Sequence, residues 1–141
     1  MKKCECPSIQ EIGENSMIKR TERGWAGHFI GSHDCRFRRN TLLEKGEVRV
    51  VVSTVGMYYP LGRRGRLEIE RIGWNRLYET MAFMASFDEK YWDANVSREV
   101  HFTSPWTLDI VDDNCANDMH EAVVTEITQL LMADQVRIRG N

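Results

Sequence analysis

At 141 residues, 42% hydrophobic and 28% charged, the chain has the size and balance of one globular domain and is too short for two well-formed cores. No apolar run approaches the length that crosses a bilayer, and residues 1–20 hold no continuous apolar stretch of the secretory type, so the expected location is the cytoplasm. The net charge of −2 conceals a division: residues 36–76 hold nine Arg and one Lys against four Glu, and residues 77–135 hold twelve acids against Lys90 and Arg98. Either the basic block meets an anionic ligand and the acidic block a basic partner, or the two neutralise each other across the fold. Duplex nucleic acid is disfavoured as a partner, because the acidic half would repel it.

Residues 1–16 mix Pro, Gly, Asn and charge without a period and read as an N-terminal extension. The expected domain covers residues 17–135, followed by a tail over 136–141. The aromatic segment GWAGHFI at 24–30 suits a short first strand. In CRFRRNTLL at 35–43, period-two alternation places Arg36 and Arg38 on one face and Cys35, Phe37 and Arg39 on the other. Glu44-Lys45-Gly46-Glu47 is the turn into the β-branched run at 48–55, giving a hairpin. The span 56–66, with Pro60, Gly62 and Gly65, is expected as a loop leading to a strand at 67–72. LYETMAFMASF at 77–87 predicts a strand buried on both faces, and the alternation at 96–102 predicts another. Asn117 or Asp118, with Glu121 following, predicts the N-terminus of a helix running to about residue 133. Its apolar residues Met119, Val123, Ile127, Leu130 and Leu131 recur at helical spacing. The predicted class is α+β: a twisted antiparallel sheet of five or six strands covered by one C-terminal amphipathic helix.

The candidate sites follow from these placements. Arg36, Arg38 and Arg39, with Trp25 and His28 nearby in sequence, combine guanidinium and aromatic groups that can hold a nucleotide-like anion by charge and stacking. Arg63 and Arg64, on the glycine-bearing segment GRRGR, can fork around phosphate or carboxylate; the alternative is a solvated loop. Tyr91 and Trp92 lie among acids in FDEKYWDAN and make either a partner hot spot or a turn anchor. His33 stands two residues before Cys35 in GSHDC, which offers a base and a nucleophile, or simply a structural histidine. Glu79, inside an apolar strand, needs a partner such as Arg38 or Arg49, or else a raised pKa that could serve acid–base chemistry. His120-Glu121 begins an H-E-x-x-H pattern, but Val124 occupies the second histidine's place. Cys4, Cys6, Cys35 and Cys115 form no zinc-type spacing, and no metal site or cofactor is expected.

Five segments, ERGWAGHFIGSHDCRFRRNTLLE (22–44), VVVSTVG (50–56), YETMAFMA (78–85), YWDANVSREV (91–100) and MHEAVVTEI (119–127), together resemble a family of small proteins encoded by phages and other mobile elements. The resemblance spans nearly all of residues 19–131. That family has no assigned activity and so implies no catalytic residues. What it does imply is a host-takeover or anti-defence role in the host cytoplasm. The expected function is a non-enzymatic binding protein that captures a host protein or a small anionic ligand. The alternative is a small hydrolase or nuclease using His28 or His33 with Glu79, and pairing of an exposed strand edge would make a homo-oligomer. Deleting residues 1–16 is expected to leave the melting temperature of the domain unchanged in a calorimetric scan.

Overall fold

β-Branched and aromatic residues crowd the segments that build the sheet. The structure is a computed structural model that describes residues 17–24, 27–60 and 68–140. In chain order it has β1 (Lys19–Glu22), β2 (Cys35–Lys45), β3 (Val48–Tyr58), β4 (Tyr78–Asp88), β5 (Tyr91–Glu99), β6 (Thr107–Leu108) and a C-terminal helix α1 (Asp113–Met132). The strands form one antiparallel sheet in the order β1-β2-β3-β4-β5, with β6 pairing the start of β4. This is the α+β class that the residue pattern predicts. Lys45 pairs with Val48, so Gly46 and Glu47 alone connect β2 to β3, and Gly46 takes the left-handed conformation (φ 58°) that such a tight turn requires.

Strand alternation divides the sheet residues between two faces. On one face Leu43, Val50, Val52 and Ala82 are buried against Val123, Val124, Ile127 and Leu131 of α1. Each of the Val, Leu and Ile side chains contributes about 1.5–3 kcal/mol on leaving water. The helix begins earlier than predicted. Asp112, in extended conformation, is its N-cap and accepts from the Cys115 N–H at 3.0 Å, so Asn117 and Asp118 lie inside the helix. Tyr78 holds this end to β4, donating to Asp113 Oδ1 at 2.7 Å and accepting from the Asp112 N–H at 3.0 Å. At the other end, the N–H groups of Gln135 and Asp134 close on the carbonyls of Leu130 and Leu131 (2.8 and 3.1 Å), with Asp134 left-handed at φ 54°. These paired bonds satisfy the last carbonyls and stop the helix.

The opposite face carries Val51, Ser53 and Val55, all fully buried although no helix among the described residues covers them. The connection between β1 and β2 lies over them. Of the segment 24–30, expected as a strand, residues 25 and 26 lie outside the described residues and the others do not pair; a short 3₁₀ turn (Ser32–Asp34) then leads into β2. Gly27 lies so close to β3 that a Cβ there would come within 2.1 Å of Val55 Cγ1. Lying flat on a sheet face in this way precludes edge pairing. The first strand is instead the polar Lys19–Glu22, which pairs with the end of β2.

Three further expectations differ. The fifth strand is Tyr91–Glu99 rather than 96–102, because β5 follows β4 through the tight turn at Glu89 and Lys90. Leu67 lies outside the described residues, and from 68 to 72 only Glu70 forms a bridge, to Tyr58. Of the expected tail, residues 136–140 return along the end of β5: Val100 bridges Ile138, and Val136 and Ile138 pack on the core. Replacement of Gly27 by Ala is expected to lower unfolding stability by about 1–3 kcal/mol through overpacking against Val55, read from urea denaturation.

Candidate functional site

Ser53 and Thr54 are consecutive on the central strand and therefore face opposite sides of the sheet. Each meets a buried histidine. On the helix side, Thr54 Oγ1 lies 2.7 Å from His120 Nδ1 and 2.6 Å from Thr80 Oγ1, while His120 Nε2 lies 2.7 Å from Thr41 Oγ1. Thr41 donates to the Glu22 carboxylate at 2.7 Å. Since that carboxylate can only accept, Thr41 accepts from His120 Nε2–H, and with the imidazole kept neutral by burial the direction of the rest follows. His120 donates from Nε2 to Thr41, Thr54 donates to His120 Nδ1, and Thr80 donates to Thr54. His120 is satisfied at both nitrogens and unsuited to act as a base. Burial first, and then the charge of Arg39, push its pKa down to about 4.

Four charged groups flank this chain. Arg39 reaches Glu22 at 2.8 and 3.0 Å and Glu121 at 2.8 Å, and Arg20 reaches Glu121 at 2.6 and 3.0 Å. Burial alone would raise the Glu22 carboxyl, but hydrogen bonds from Arg39 and Thr41 hold it below the usual range. The hydrogen bond from Arg20 brings Glu121 down to about 2. Arg39 also meets Asn117 of α1 at 3.5 Å, so it belongs to the sheet–helix joint rather than to a ligand surface.

On the opposite face, His28 packs its ring on Phe83 (5.6 Å between centroids) with Nδ1 2.9 Å from Ser53 Oγ. Ser53 Oγ also accepts from the His28 backbone N–H at 3.3 Å, so its own proton can go to Nδ1 and Nε2–H points at Glu79. Nε2 stands 3.7 Å from Glu79 Oε2 and has no hydrogen-bond partner among the described residues. The same carboxylate oxygen lies 3.6 Å from Arg76 Nη1, and the Arg76 guanidinium rests 4.8 Å over the Trp106 ring. Glu79 thus finds His28 and Arg76, not Arg38 or Arg49; Arg49 pairs with Glu44 at 2.8 Å. The Ser-His-Glu order resembles a nucleophilic triad, but Ser53 is 0% exposed and the His28 and Glu79 side chains are only 6% and 12% exposed. As placed, the group fastens the covering segment to the sheet.

His33 is exposed on the 3₁₀ turn, 3.5 Å from Asp34. Its sequence neighbour Cys35 is buried, and burial raises its thiol to about 11, which removes the nucleophile expected in GSHDC. Arg36 and Arg38 are exposed on the face opposite Arg39, as the alternation predicts. Arg36 stacks on Tyr59, 4.1 Å from the ring centroid, and neither arginine has a carboxylate partner among the described residues. Trp25, Arg63 and Arg64 lie outside the described residues. Tyr91 and Trp92 open β5; Trp92 packs edge-on against Phe87 at 5.2 Å, carries the Arg49 guanidinium at 4.2 Å, and its carbonyl accepts from Arg23. Trp92 thereby anchors the hairpin, while Phe87 and Tyr91 remain exposed.

The sequence reading missed Ser53, Thr54, Tyr59, Arg76 and Trp106. Only Tyr59 left a trace, as an aromatic beside the arginine-rich stretch, because the others are joined to their partners by strand register. Among the described residues, no group of three or more His, Cys, Asp or Glu side chains is placed to hold a metal ion, and no helix is long and apolar enough to cross a membrane.

The His120 chain sets a pH dependence. The unfolded chain takes up a proton at this residue below its ordinary pKa of 6.5, whereas the folded protein resists until about 4. The stabilisation is complete above pH 6.5 and falls by about 3 kcal/mol as the pH drops to 4. Glu22 and Glu121, both depressed, lose their contributions only at lower pH. Urea unfolding across pH 4–7 is expected to show this slope in the native chain and a flatter one in His120→Gln. Comparisons with family models, with curated proteins and with solved structures returned no match.

Proposed function

We propose that the chain is a non-enzymatic binding protein of a phage or mobile element, an anti-defence factor in the host cytoplasm that captures a small anionic, nucleotide-like ligand. One observation carries this reading: Arg36 and Arg38 stand exposed side by side on β2 without carboxylate partners among the described residues, with Tyr59 under Arg36. Among the described residues, the other cations of the basic block are already paired, Arg76 with Glu79. Arg39, Lys45, Arg49 and Arg71 meet Glu22, Asp134, Glu44 and Asp109 respectively. A guanidinium resting over an aromatic ring can still offer donors to a phosphate or carboxylate. The phage or mobile-element origin rests on the sequence resemblance alone.

Two observations favour other readings. Capture of a host protein draws support from Phe87 and Tyr91, which are 56% and 39% exposed at the tip of the β4–β5 hairpin. Acid–base chemistry, as in a small hydrolase or nuclease, draws support from the 3.7 Å approach of His28 to Glu79. It ranks second because both groups are buried and a substrate would have to displace the segment above them.

Calorimetric titration of the full chain with pyrophosphate and with nucleoside triphosphates tests the leading reading. Saturable binding is expected, weakened at least tenfold in the Arg36→Ala/Arg38→Ala double variant, which corresponds to the loss of about 1.4 kcal/mol or more. Both positions are exposed, so the variant should unfold like the parent. Absence of binding, together with recovery of neither nucleotide nor protein from host lysate, would remove the proposal.

A further inference from the structure

The cavity at the far end of the sheet has no part in the arginine–tyrosine site. It lies between the β2–β3 turn, β4, β5 and the returning C-terminal segment, and measures about 290 Å³. Val48, Met84, Leu131, Val136 and Ile138 supply its apolar wall. Three charged side chains complete the lining: Lys45, Arg98 and Asp134. Lys45 Nζ is held by Asp134 Oδ1 at 2.9 Å, and Arg98 has no carboxylate partner among the described residues. Two cations against one carboxylate leave a single positive charge at an apolar chamber. The last turn of α1 would oppose an anion here, but its terminal carbonyls on Leu130 and Leu131 are already bonded to the N–H groups of Gln135 and Asp134.

An apolar wall with one uncompensated guanidinium fits a molecule with the complementary division, an apolar body ending in one anionic group. At about 30 Å³ for each water-sized group, the volume admits roughly ten heavy atoms. We propose that this cavity binds a small aliphatic monocarboxylate of about the size of octanoate, its chain against Val48, Met84, Leu131, Val136 and Ile138 and its carboxylate on Arg98. Lys45 assists by sharing its ammonium between Asp134 and the ligand. This proposal is independent of Arg36 and Arg38, which lie elsewhere on β2.

The test is a titration of the full-length protein with octanoate and, separately, with octanol, followed by methyl NMR. Saturable shifts at Met84, Leu131 and Ile138 are expected below about 1 mM octanoate, with octanol binding at least fivefold more weakly. Arg98→Gln, at an exposed position that leaves the core intact, should weaken octanoate about tenfold and leave octanol unchanged. Val48→Phe, which narrows the chamber, should reduce both. No saturable shift at these methyls would overturn the proposal, as would equal affinity for octanol or an unchanged octanoate affinity in Arg98→Gln. Pyrophosphate binding that depends on Arg36 and Arg38 can survive any of these results, so the two sites fail separately.

Discussion

Two adjacent hydroxyls on the central strand locate everything laid over the sheet. Ser53 and Thr54 point to opposite faces, and each bonds a histidine carried by a covering element, His28 from the β1–β2 connection and His120 from α1. Apolar area is non-directional and would tolerate a range of positions for either cover. A buried polar group tolerates few, because losing its partner costs about 1–3 kcal/mol. The requirement is strictest on the helix side, where the relay continues through Thr41 to Glu22 and through Thr80. A helix residue is thereby tied to β1, β2, β3 and β4 together.

The electrical division in the sequence is partly consumed by this assembly. Arg20 and Arg39 meet Glu121, and Lys45 meets Asp134, so basic strands and the acidic helix end close on each other. Single exposed pairs of this kind stabilise little. The cluster around Glu22 does more, because the nearby positive charge of Arg39 helps to keep His120 neutral. Among the described residues, Arg36, Arg38 and Arg98 have no carboxylate partner, and the proposed anion sites are built on these three.

Both histidines that invite a catalytic interpretation take part in this construction. His120 is bonded at both nitrogens, and His28 lies under the segment that carries it. The proposed recognition draws instead on groups at the surface: stacked and exposed arginines, and the aromatic tip of the β4–β5 hairpin. Such groups can bind without rearranging the two covers.

Sequence alone determined the class, the main β2–β3 hairpin, the faces of Arg36, Arg38 and Arg39, and the amphipathic helix, because each depends on local periodicity or on one turn. Alternation along 35–43 separates the arginines before any fold is known, and the apolar spacing from Met119 to Leu131 is that of one helical face. Tertiary structure decided the rest. The polar KRTE of β1 carries no strand pattern, and its place comes from pairing with β2 and from Arg20 and Glu22 reaching the helix. Residues 24–30 have strand-like composition, yet the close approach of Gly27 to Val55 lays Gly27 and His28 across a sheet face. His28, Ser53 and Glu79 lie on three separate segments, and the side of the sheet they share emerges only when β3 and β4 pair, with Val55 opposite Glu79. Periodicity reports which way a side chain points within its own element; register between elements decides what it meets there.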